Sequence, residues 1–110
     1  MAWVAVACLD APAFGHAFLR HSEPGAGTVV AVSPKRIALS FTEKLEPVFS
    51  GVTVIDSSGH GVEAGAAQIG GNAIVVPLRP LAPGTYRVSW HVVSVDTHRT
   101  EGAYSFKVKP

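Results

Sequence analysis

Residues 85–93 alternate strictly between apolar and polar. Tyr86, Val88, Trp90 and Val92 fall on one face, and Arg87, Ser89 and His91 on the other. A two-residue period predicts a strand with one face against a core. Ile37, Leu39 and Phe41 repeat the pattern just after Ser33-Pro34, and Tyr104, Phe106 and Val108 repeat it near the C-terminal end. Val52-Thr53-Val54-Ile55 is rich in β-branched residues and stops at Asp56-Ser57-Ser58-Gly59, a segment with strong turn chemistry. Ala73-Ile74-Val75-Val76 predicts a further short strand, ended by Pro77. Pro24-Gly25-Ala26-Gly27 and Leu81-Ala82-Pro83-Gly84 read as turns. Residues 59–72, rich in glycine and alanine, predict no definite element, and no stretch shows a 3.6-residue period. About seven short strands separated by turns predict an all-β chain, an antiparallel Greek-key β-sandwich or barrel of immunoglobulin-like dimensions. The paired cysteines of an antibody domain are missing, since the chain has a single cysteine.

Composition narrows the function classes. The chain has 110 residues, 47% of them hydrophobic, which is enough for one packed domain and argues against disorder. Lys and Arg are scattered singly and the formal net charge is +1, so the electrostatic footprint of a nucleic-acid partner is lacking. No apolar run approaches the roughly 18 residues that a membrane span needs.

The N-terminal 15 residues read as a leader. An apolar stretch ends in Ala13-Phe14-Gly15, a small-x-small triplet that a signal peptidase could cut. The stretch lacks the basic start of an ordinary signal peptide, which points to a leader shortened at its front. Residues 16–110 would then be the working domain, with His16 its first residue. Ala5-Val6-Ala7-Cys8 loosely resembles a lipoprotein box, and lipidation at Cys8 would leave His16 internal.

The leader changes the chemistry. An N-terminal histidine offers two ligand nitrogens, its α-amine and its imidazole. Asp96 and His98 lie two residues apart, so in an extended segment they share a face. Three nitrogens and one carboxylate oxygen form a tetragonal set suited to Cu(II). Cys8 and Met1, the only cysteine and methionine, both fall before His16, so the domain would hold no soft sulfur ligand for Cu(I).

Several segments resemble the CopC family of periplasmic copper-binding, copper-resistance proteins. His16-Ala17-Phe18-Leu19 followed by Ser22-Glu23-Pro24 is similar to that family's N-terminal histidine and Ser-x-Pro turn. Residues Ile37 to Leu45 resemble its strand ending in Phe-Ser-Glu-x-Leu. Residues Leu81 to Trp90 resemble its Leu-x-x-Gly-x-Tyr-x-Val-x-Trp strand, and Val93 to His98 its Val-Ser-x-Asp-x-His segment. The resemblance implies a Greek-key fold and one Cu(II) per chain, held by His16, Asp96 and His98. It also implies a periplasmic location, a role in buffering or carrying copper, and an inner-membrane copper transporter of the CopD type as partner. Some members carry a methionine-rich loop for Cu(I). Residues 50–71 here hold no methionine and one histidine, His60, so no Cu(I) site is expected.

Blander readings stand beside these. Asp96 is a residue type that caps turns, and His98 one common on surfaces. Glu43 is read equally well as a solvated carboxylate or as a partner hydrogen-bonded to a metal ligand. His21, His60 and His91 read as surface residues and Trp90 as a core anchor. Two rival functions remain open. One is a copper mono-oxygenase, which also uses an N-terminal histidine but needs an open metal position. The other is an immunoglobulin-like interaction module that binds no metal.

Overall fold

The structure is a computed structural model, described here for residues 18–110. Eight strands follow in order: β1 (Leu19–Glu23), β2 (Val29–Val30), β3 (Arg36–Phe41), β4 (Gly51–Ile55), β5 (Gln68–Gly70), β6 (Ala73–Pro77), β7 (Gly84–Val93) and β8 (Arg99–Val108). A 3-10 turn, Pro47–Phe49, leads into β4. The strands form two four-stranded sheets, ordered β1-β3-β6-β5 and β2-β8-β7-β4. The chain passes between sheets at β1–β2, β2–β3, β3–β4, β4–β5 and β6–β7, as in a Greek-key sandwich.

The alternating segments became the inner strands, as their pattern demands. Ile37, Leu39 and Phe41 of β3 and Ile74 and Val76 of β6 are buried from one sheet. Val54, Tyr86, Val88, Val92, Tyr104, Phe106 and Val108 meet them from the other. One aromatic contact crosses this core, Phe41 meeting Trp90 edge-on at 6.2 Å, while Tyr86 stacks at 5.6 Å on Phe106, its cross-strand neighbour in the same sheet. Tyr86 also donates its hydroxyl to the Ala82 carbonyl at 2.6 Å, so its polar end is satisfied where the strand begins.

Some features depart from the expectation. The last strand begins at Arg99 rather than Ala103, because β8 pairs with β7 from Arg99 to Val108. β2 runs parallel to β8, an exception among antiparallel neighbours. β1 carries a bulge at Arg20, between the Leu19–Phe41 and His21–Ser40 pairs. β5 pairs with β6 inside the stretch left undefined. None of the helices among the described residues is long and apolar enough to cross a membrane.

Candidate metal centre

One end of the sandwich is built around the segment 42–46. After Phe41 closes β3, this segment runs between the two sheets and bonds to both. Towards the first sheet, the Thr42 amide donates to the Phe18 carbonyl and the Phe18 amide to the Thr42 hydroxyl, each at 2.9 Å. The Leu45 amide donates to the Gly71 carbonyl at 2.9 Å. Towards the second sheet, the Val95 amide donates to the Lys44 carbonyl at 3.0 Å and the Glu46 amide to the Val93 carbonyl at 2.8 Å. A bridge pairs Leu45 with Ser94. Phe18 and the 94–98 turn are thus tied to the same short segment, two residues apart.

The 94–98 turn joins β7 to β8. The Thr97 amide donates to the Ser94 carbonyl at 2.8 Å, and the Ser94 amide to the His98 carbonyl at 2.9 Å. Thr97 has φ 72°, the left-handed conformation that such a hairpin loop needs at this place and that glycine normally supplies. The turn corrects one expectation. Asp96 and His98 do not share the face of an extended strand. The left-handed residue between them swings the chain so that the two side chains still meet, His98 Nδ1 lying 3.3 Å from Asp96 Oδ1. Their side chains are 45% and 50% exposed, open enough for a ligand to reach.

Beneath them lies Ser94, completely buried, whose hydroxyl donates to Asp96 Oδ1. That hydrogen bond is the largest influence holding the Asp96 carboxyl below its ordinary value. Partial desolvation opposes it, and hydrogen bonds and charge from His98 reinforce it. Asp96 is therefore ionised, as a metal ligand must be. The exposed position of the pair, its charge and its N/O chemistry suit a hard or borderline cation such as Cu(II).

The other sequence candidates are placed as follows. His16 lies outside the described residues. Glu43 is half-buried in the bend after β3, next to the Lys44 carbonyl that holds Val95. β3 ends at Phe41, so the inward parity of that strand is not carried to Glu43. His91 is exposed, with its ring against Gly51, where a Cβ would sit 2.9 Å from it. His21 pairs with Glu23 at 2.9 Å on exposed β1, and His60 lies 3.8 Å from Asp56 in a turn. Among the described residues, no three His, Cys, Asp or Glu side chains converge into a metal-binding group. Ser94 and Thr97 carry no ligand-type side chain that marks them in the sequence. Their signal was a serine two residues before the aspartate and a non-glycine in a tight hairpin.

The chain matches the CopC domain family over residues 19–109. Copper resistance protein C of Xanthomonas campestris pv. juglandis is 41% identical over 115 residues, covering 96% of this chain and 90% of that protein. The crystal structure of CopC from Methylosinus trichosporium OB3b is similar with a TM-score of 0.79 and 36% identity, over 86% of this chain and 95% of that one. PcoC, a methionine rich copper resistance protein from Escherichia coli, has a TM-score of 0.72 and 38% identity, over 86% of this chain and all of that one (100%).

Proposed function

The chain belongs to the CopC family, and on that premise we propose that it is a periplasmic Cu(II) carrier that buffers or passes on copper and catalyses no reaction. Residues 1–15 are a leader, and the working domain begins at His16. One Cu(II) binds to the His16 amine and imidazole, the Asp96 carboxylate and the His98 imidazole. The observation that carries this reading is the Asp96–His98 pair, 3.3 Å apart on a turn tied to the same segment as Phe18.

The division of labour follows from the chemistry. The amine and imidazoles supply nitrogen, the preferred equatorial donors of Cu(II), and Asp96 supplies charge. Glu43, the residue before Lys44, whose carbonyl accepts from the Val95 amide, is the candidate to hydrogen-bond a ligand N–H and tune affinity, against the equal alternative that it is solvated. With Met1 and Cys8 removed, the domain has no sulfur ligand, in contrast to the methionine rich PcoC, so Cu(I) is held loosely. Copper is passed to an inner-membrane transporter of the CopD type, and reduction favours that release.

The test is a Cu(II) titration of the secreted protein with electron paramagnetic resonance. One equivalent with a tetragonal, nitrogen-rich spectrum is expected, perturbed separately by Asp96→Ala and His98→Ala. Ascorbate with a soft chelator should then strip the metal. Absence of stoichiometric Cu(II), or tight retention of Cu(I), would overturn the reading.

A further inference from the structure

Ser94 has the properties of a residue that acts through its neighbour. Among the described residues, fifteen hydrophobic side chains form the buried core, and Ser94 is the polar residue buried with them, at 0% exposure. A hydroxyl taken out of water is unfavourable unless it is hydrogen-bonded. This one donates to Asp96 Oδ1, and the His98 carbonyl lies 3.4 Å away. The serine itself is fixed. Its amide donates to the His98 carbonyl, its carbonyl accepts from Thr97, and it bridges to Leu45. Asp96, by contrast, is nearly half exposed on a turn, where an aspartate samples several rotamers.

We propose that Ser94 is the positioning residue of the copper site, selecting the Asp96 rotamer that ligates the metal and occupying Oδ1 so that the other carboxylate oxygen is presented to copper. The proposal rests on Asp96 being a copper ligand. His98 Nδ1 faces the same Oδ1, so serine, aspartate and histidine are arranged before any metal arrives. A ligand already in place loses less freedom on binding, and removing such supporting groups typically weakens metal affinity by about 10- to 100-fold. The hydroxyl contributes nothing to the metal directly, being buried beneath the carboxylate.

A turn serine with a merely structural role makes a different prediction, so the test is a double-mutant cycle read with Cu(II) alone. Affinity is measured by competition titration on the secreted protein and on Ser94→Ala, Asp96→Ala and the double variant. Ser94→Ala should lower Cu(II) affinity by about 10- to 100-fold. It should also broaden or shift the resonance spectrum, and should have no further effect when Asp96 is already alanine. An equal loss in both backgrounds, or none in either, overturns the proposal. Should Asp96→Ala leave affinity unchanged, the ligand reading of Asp96 fails first, and that result is distinct. If Ser94→Ala does not fold, Ser94→Thr carries the comparison. It keeps the hydroxyl and must retain affinity within a few-fold of the parent, and a loss like that of Asp96→Ala overturns the assignment.

Discussion

Thr97 occupies a conformation that a β-branched residue avoids. Its φ of 72° brings Cβ against the backbone, at roughly 1–2 kcal/mol for an L-residue. Glycine would escape that strain and give back about 0.5–1 kcal/mol in chain entropy. Thr97→Gly should therefore leave the metal-free protein as stable as before or raise its melting temperature by a few degrees, since about 1 kcal/mol shifts a domain of this size by roughly 4–8 °C. The same substitution loosens the turn between Asp96 and His98, so Cu(II) affinity should fall. A thermal melt without metal and a titration with it separate the two effects. Unchanged affinity would mean that the strain has no part in the site. Glu43 makes a second prediction at this scale. Glu43→Gln should lower Cu(II) affinity by about 10- to 100-fold and leave the spectrum largely intact. A solvated Glu43 predicts no change, and a gross spectral change would make it a direct ligand.

Among the elements, the β7–β8 hairpin does most to hold the site. Its register pairs Trp90 with Gly102. The indole covers the glycine so closely that a Cβ there would lie 2.5 Å from the ring. Gly102→Ala should push Trp90 away from Phe41 and destabilise the domain by about 1–3 kcal/mol, the usual range for overpacking. A thermal melt and the Trp90 emission check this, and an unaltered melt would show that the ring has room to move. This hairpin also shows what the sequence made legible. Tyr86, Val88 and Val92 alternate on a one-sided strand, so β7 could be read directly, as could Ile37, Leu39 and Phe41 of β3. The first residues of β8, Arg99 to Gly102, carry no apolar alternation, because long partner β7 rather than burial holds them in the sheet. β1 hides its pattern behind the bulge at Arg20, and β2 and β5 are too short for any period to emerge. Of the site, Asp96 and His98 were visible as a spaced pair of ligand types. Ser94 was not, since a serine declares itself only once the structure shows that it is buried under a carboxylate.

At the scale of the whole molecule, the proposed site would combine His16 with the Asp96–His98 turn, and its acid sensitivity should report which groups complete it. A carboxylate whose pKa is lowered by the fold is ionised above that value and is lost as a ligand only when the pH falls through it. Asp96 is held below the ordinary aspartate range, so it stays charged through mild acidification. A free α-amine is different. Its proton leaves at about pH 7.7–8.0, and copper must displace that proton at any lower pH. Affinity should therefore weaken steadily from about pH 8 downwards, well before Asp96 titrates. Protein beginning at His16 should show this slope. Protein retaining even one residue before His16 has an amide in place of that ligand amine, so it should bind Cu(II) far more weakly and lose the amine's part of the slope. Titrations of both forms between pH 5 and pH 9, with mass spectrometry to fix the first residue, decide the matter. Equal affinity with and without the extra residue would remove the amine from the site and leave Asp96 and His98 in need of other partners.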